Sequence, residues 1–486
     1  SGDWSSQAFT TAAGVFLWAV NGADYGQLYN GTDWLPVTGA SQNDLDYDGL
    51  TADFVIGETV TGGTSGASAT IVGINKTSDT AGTLRLGAVT SGPFQDNEAL
   101  TSASGAAVAD GANASGSTLA VTGVATTALS QVWTFKNRLW FVEENTTSAW
   151  YLGANAISGA ATEFPLRGIF NEGGNLLFGA TWSLDSGDGI DDVIVFVSDQ
   201  GEIAVYQGTD PSSDFALSGV YKIGKPLNKR CSFRAGGDLA IATEEGIVSV
   251  AEALRKDRAA LAASALTFPI EDAWQEAVAN RTGSFPISVT LWSRATMLVV
   301  GTPATSAGQR VCYVANVRTG AWCRFTGWDV RCALVSDDRF FFGTAAGTVV
   351  EGETGGNDQS AFYTGTWVPK FQEGDPSQKV ANLVRFRGRA AETYEIGLAV
   401  FADYAPGSVT APASTSADNT NVWGTGLWGT MIWGGGGDRT HISEWQPAFN
   451  SGVALAPAFA VQVNRADDPT LEVIALDVMV ERGRVL

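Results

Sequence analysis

One unit recurs six times along this chain and limits its fold more than any other feature. An apolar strand leads through a short polar or glycine turn into a second strand that ends near glycine. The unit spans 15–24 with 27–31, 138–145 with 148–153, 193–201 with 203–208, 238–246 with 247–250, 297–300 with 311–316, and 339–347 with 348–352. From residue 138 onward the starts are roughly 40 to 60 residues apart, the length of one four-stranded propeller blade. A lone hairpin leaves an apolar face open, and radial stacking of blades buries it. The expectation is an all-β chain built on a β-propeller of five to seven blades. Trp18, Trp140, Trp150 and Trp322 are then expected to pack between blades.

The stretch from 15 to 138 is too long for one blade and shrinks to one if residues 49–122 are an insertion. That segment has its own repeat. Phe54, Glu58, Val60, Thr61 and Ser65-Gly66-Ala67 return forty residues later as Phe94, Glu98, Leu100, Thr101 and Ser104-Gly105-Ala106. It reads as a small β-barrel or sandwich of two similar halves. The propeller takes 1–48 and 123–362, with a short helical segment at 249–280 rich in Ala, Glu and Leu. Residues 363–486 read as a separate antiparallel β-domain, with strands at 380–402, 459–463 and 471–481 and a tract with Trp423, Trp428 and Trp433.

The 486 residues exceed what one core usually holds, and 58 glycines favour tight turns. No apolar run is long enough for a membrane span. The chain opens at Ser1-Gly2-Asp3-Trp4 without an initiator Met or a signal peptide, so an upstream segment is expected to be removed or missing. A net charge of −22 opposes a general nucleic-acid-binding surface, which needs Lys and Arg to displace counterions.

Little in the chain suggests catalysis. The single histidine, His441, sits beside Asp438 and Arg439 after a glycine run and reads as a loop residue. Cys231, Cys312, Cys323 and Cys332 form no CxxC pair, cannot complete a zinc site with one histidine, and read as buried free thiols. Asp44, Asp46 and Asp48 before Gly49 match the start of a calcium loop, but Val55 stands where a bidentate Glu is required. A second acidic turn, 185–192, shares that weakness. No cofactor motif is present. Lys222, Lys225, Lys229, Arg230 and Arg234 form the one cationic cluster, suited to a solvated edge, an acidic neighbouring subunit or phosphates.

Several segments resemble tailed-phage and prophage structural proteins. They are 9–14, 20–24 and 28–34, then 135–143 with 149–152, then 314–322 with 325–328. The nearest family role is the tail nozzle of short-tailed phages, a head–tail completion protein. The resemblance implies a ring of six propeller subunits beneath the connector, extending the DNA channel and helping to retain and then release the genome. Implied partners are further copies of the chain, head–tail adaptor or connector proteins, tail fibres or spikes, and double-stranded DNA passing through without sequence-specific binding. The implied location is the virion, assembled in the host cytoplasm, with no enzymatic role. In such a ring the cations at 222–234, with Arg482 and Arg484, are expected against acidic neighbours. The alternative is a receptor- or glycan-binding virion module using Trp423, Trp428 and Trp433 as platforms. A propeller glycosidase with paired carboxylates is a third reading.

Overall fold

The structure is a computed structural model. It describes residues 3–183, 192–281, 287–304, 310–359, 361–374, 376–390, 394–412, 439–463 (439–442 by backbone alone) and 471–482. It divides into two units, Ser1–Val350 and Glu351–Leu486.

The first unit is the propeller, and its sheets follow one another along the chain as antiparallel meanders. Blade 1 is Ser5–Thr11, Gly14–Val20, Gly26–Tyr29 and Trp34–Val37. Blade 2 is Leu129–Phe135, Arg138–Glu143, Ser148–Tyr151 and Thr162–Pro165, and blade 3 is Leu176–Trp182, Val193–Ser198, Glu202–Gln207 and Ala216–Lys222. Blade 4 has three strands, Ser232–Ala235, Asp238–Thr243 and Gly246–Ser249. Blade 5 is Ser288–Trp292, Met297–Gly301, Val311–Asn316 and Trp322–Thr326, and blade 6 is Cys332–Ser336, Arg339–Gly343 and Val349–Gly352.

Each recurring hairpin is the second and third strand of a blade. These middle strands are covered on both faces by neighbouring blades, so they read as continuous apolar runs, and every residue of Val193–Ser198 is buried. Blades 1 and 2 share a core around Trp18, Leu28 and Phe141, and blades 2 and 3 share one around Trp133, Trp140 and Phe196. Blades 3, 4 and 5 share the largest core, and blades 5 and 6 meet around Trp292, Val314 and Phe340. Trp18 and Trp140 are fully buried, while Trp150 and Trp322 pack half-buried against the same inter-blade cores. Truncating either buried indole to Ala costs about 3–5 kcal/mol.

The first strands of blades 1, 2 and 3 pack against one another in turn, as do those of blades 4, 5 and 6. Gln131 clamps blade 2 to blade 3 there. Its amide donates to Gly179 O at 2.9 Å and accepts from Gly179 N at 2.8 Å. Residue 179 is glycine because a Cβ would meet the Trp133 ring at 2.2 Å. After the third strand of blade 4 come three helices, Val250–Ala253, Arg258–Ala263 and Glu271–Ala279, which add Trp274 and Leu261 to the core. Ser249 and Asp257 cap the first two by accepting from Glu252 N and Ala260 N.

Between blades 1 and 2 stands a closed six-stranded antiparallel barrel. Around the wall the order is Asn43–Ala52, Gly82–Leu86, Ser68–Lys76, Thr59–Gly62, Ala99–Thr101 and Ala106–Ala109, and the last pairs with the first. Its base is tied together where Gln42 N donates to Ser117 O at 2.9 Å and Val121 N to Thr38 O at 2.8 Å. The internal repeat has a structural meaning. Glu58 of the first half accepts from the Ser102 and Ser104 hydroxyls and Ser104 N in the turn of the second half. Glu98 of the second half accepts from Thr64 N, Ser65 N and the Ser65 hydroxyl in the turn of the first. Each half carries the carboxylate that closes the other's turn.

The second unit is an antiparallel β-sandwich. One sheet has Leu455–Val463 between Tyr363–Trp367 and Ile396–Ala402. The other centres on Lys379–Ala390, flanked by Leu471–Arg482 on one edge and by Gln446–Gly452 and Arg439–Ile442 on the other. Phe386, Tyr394, Ile396, Phe459 and Val461 fill the space between them. Among the described residues, no helix is long and apolar enough to cross a membrane.

Candidate functional site

Three of the five clustered cations are ion-paired within the subunit. Lys222, at the end of blade 3's outer strand, is ion-paired with Glu172. Lys229 and Arg230, in the lead-in to blade 4, both reach back to Asp3, ahead of blade 1. The Lys229 ammonium donates to Asp3 O at 2.8 Å and to Ser130 O of blade 2's inner strand at 2.9 Å. The lead-in to blade 4 thus holds the segment ahead of blade 1 and the inner strand of blade 2, neither of which adjoins it in chain order. The Lys229 side chain is 10% exposed. Burial pushes its pKa down, and the Asp3 carboxylate partly opposes that shift. Lys222, Lys225 and Arg234 are exposed, and of these three only Lys222 has an ion-pair partner among the described residues. Lys222, Lys229 and Arg230 therefore already have carboxylates within the subunit. Arg482 ends the edge strand of the second unit, where it pairs in register with Lys379, and Arg484 lies outside the described residues.

The calcium reading is overturned by backbone geometry. Asp44, Asp46 and Asp48 lie on the extended strand Asn43–Ala52, alternating with Leu45 and Tyr47, which are buried in the barrel core. At about 3.3 Å per residue, alternate side chains are roughly 7 Å apart, too far to wrap one ion as a loop does. Asp44 lies 3.9 Å from Arg85, and Asp46 accepts from the Thr83 hydroxyl at 2.6 Å. No group of three metal-ligating side chains occurs among the described residues. Of the 185–192 turn only Asp192 is described, and it is buried.

His441 lies in a strand paired with Gly388 rather than in a loop, because Arg439–Ile442 completes the sheet edge. Its side chain lies outside the described residues, as do Trp423, Trp428 and Trp433. All four cysteines are free, but only two match the expected burial. Cys231 and Cys312 are buried, with thiols pushed by burial up to about 11 and about 12, while Cys323 and Cys332 are exposed on outer and inner strands of blades 5 and 6. Thiols held that high are not nucleophiles at neutral pH.

A second cationic feature escaped sequence reasoning. Arg385, Arg387 and Arg389 alternate along Lys379–Ala390 with Phe386, Gly388 and Ala390, which are buried, so the three arginines share the outer face of the sheet. Arg385 Nε donates to Asp477 Oδ2 at 2.7 Å and Arg387 to Asp477 Oδ1 at 2.9 Å. These hydrogen bonds, led by the one from Arg385, hold the Asp477 carboxyl below its ordinary range. Arg385 also lies 4.5 Å from the centroid of the Trp445 ring. The signal in the sequence was the Arg-x-Arg-x-Arg alternation itself.

No family model matches the chain, and no curated protein matches it. Among solved structures, a Bacteroides uniformis protein provisionally named a 6-phosphogluconolactonase is 12% identical, with a TM-score of 0.31, covering 72% of this chain and 96% of that one. The computationally designed Ika8 protein is 10% identical at a TM-score of 0.30, covering 71% and 95%. The WD40 domain of SCAP from fission yeast is 9% identical at 0.23, covering 68% and 82%. Likenesses this distant say nothing about activity, and the propeller rests on the strand pairings themselves.

Proposed function

We propose that this chain is a structural virion subunit, the tail nozzle of a short-tailed phage. Six copies would form a ring beneath the connector that extends the DNA channel and helps retain and then release the genome. The observation that carries this reading is the fate of the cations. In a chain of net charge −22, three of the five clustered basic residues of the propeller are held by carboxylates of the same subunit. Duplex DNA is gripped by several Lys and Arg that release counterions, and a wall without them lets the genome slide. Lys229 further supports a structural role, because its buried ammonium is taken up by an ion pair and two backbone carbonyls of the same subunit. The segments that resemble phage structural proteins fall on blades 1, 2 and 5, so the likeness lies in the framework. The partners are the same chain, adaptor or connector proteins and tail fibres or spikes, and no catalysis or cofactor is involved.

The test has two measurements on the purified protein. Mass photometry should give a discrete particle of about six times the 50.8 kDa chain mass. Duplex DNA binding across a salt series should be weak and nearly flat. Tight binding that falls steeply with salt would mean that a basic track lines the lumen, and the sliding wall would be abandoned.

A further inference from the structure

We infer that the outer face of the arginine-bearing sheet is the face on which a second copy docks, and that the acidic strand of that copy's barrel is what it receives. This rests on the ring reading above. The face carries Arg385, Arg387 and Arg389 on the central strand, with Asp477 and Met479 beside them on Leu471–Arg482. Trp445 adjoins Arg385. Trp445 is 38% exposed and Met479 is 48% exposed. Beside them Ile474, the extra residue where the register shifts between Arg387 and Gly388, is also exposed. Arg, Trp and Met are the residues that enrich the centres of protein interfaces. Asp477 orders two of the guanidiniums in advance, and the Arg387 side chain remains 42% exposed. A planar donor fork held in this way suits a carboxylate from outside.

Charge complementarity selects the occupant. Residues 43–115 contain nine Asp and Glu against two cations, Lys76 and Arg85. The outward ladder Asp44, Asp46, Asp48 has the period of two residues that Arg385, Arg387 and Arg389 also have. Both ladders are strands, so both space their charges by roughly 7 Å, and three carboxylates can meet three guanidiniums in one register. The two faces are different surfaces of the chain. Such a contact is heterologous and passes from subunit to subunit around a ring.

The experiment is a charge exchange in the full chain. Arg389 lies outside the Asp477 pair and is exposed, and Asp48 is exposed on the barrel wall, so R389E and D48R should both fold. Unchanged far-UV circular dichroism and Tm would verify this. Mass photometry over a dilution series should show that each single variant assembles about tenfold or more weakly, since like charges then oppose one another. The double variant D48R/R389E restores opposite charges between neighbours and should return to within about threefold of the parent. A third variant, W445A, should weaken assembly without any change in charge. Single variants that assemble like the parent, or a double variant as weak as the sum of its singles, would overturn this contact and leave the ring reading intact. A parent chain that stays monomeric at every concentration would remove the ring reading and the contact with it.

Discussion

The barrel's two glutamates offer a test in which one half of the domain is the control for the other. Glu98 is 3% exposed. Its Oε2 accepts from Thr64 N at 3.1 Å and Ser65 N at 2.9 Å, and its Oε1 from Gln95 N at 2.6 Å. Glu98→Gln keeps the shape but turns one oxygen into a donor. Whichever way the amide lies, an N–H then faces a backbone N–H that cannot turn away. Losing a charge-assisted bond and stranding a buried donor should cost about 3 kcal/mol together. Glu58 differs in kind, because two of its three partners are the hydroxyls of Ser102 and Ser104. A hydroxyl rotates and accepts as readily as it donates. Glu58→Gln should therefore be tolerated far better, with the new amide donating to Ser104. Hydrogen exchange of peptides covering 59–76 and 94–109 reads the difference. About a hundredfold faster exchange is expected for E98Q, since each 1.4 kcal/mol of lost protection is worth a factor of about ten. Equal acceleration in the two variants, or none in E98Q, would refute the reasoning.

Two further outcomes follow from titration and from the ring contact. The hydroxyl of Ser102, then that of Ser104, holds Glu58 below its ordinary pKa; for Glu98, burial pushes upward but is outweighed by the Ser65 and Gln95 amides, so it too is lowered. Folded values below the unfolded one of about 4.3 mean stability that is present above that pH and lost as pH falls through the folded values, so barrel amides should lose protection below about pH 4, measured by exchange corrected for intrinsic rate. Replacing Lys229 by Met strands the Asp3 and Ser130 carbonyls but recovers the cost of burying an ammonium; a net loss of about 2 kcal/mol is expected in guanidinium unfolding followed by Trp emission, and an unchanged midpoint would mean that the two terms cancel.

The propeller was legible because its middle strands are apolar on both faces, and such runs repeat at blade spacing whatever the outer strands do. The barrel was legible through its repeat, but its first strand was not. Asp44-Leu45-Asp46-Tyr47-Asp48 spells both a calcium loop and a half-buried strand, and burial of Leu45 and Tyr47 decides for the strand. The cationic cluster misled for a different reason. Lys229 and Arg230 find their partner in Asp3, 226 and 227 residues earlier, and composition carries no trace of a pairing that distant. Asp477 lies 92 and 90 residues from Arg385 and Arg387, so the alternation of arginines could be read but its ordering could not.

These distances bear on where a ring would be joined. A cation that closes a contact within its own subunit already has its carboxylate, and moving it to a neighbour gains little, because the first pair must break. Lys222, Lys229 and Arg230 are spent in this way, so these three charges act within the subunit. The arginine face differs. One carboxylate, Asp477, serves two guanidiniums there, and Arg389 projects beyond them. Two donors sharing one acceptor retain capacity for another. In a chain with 51 acidic and 29 basic residues, the surface most often offered to such a face is acidic, and the commonest acidic surface near an assembling subunit is its own copy. In the proposed ring, the same excess that would keep DNA from adhering to the wall would supply the counter-charge that holds the wall together.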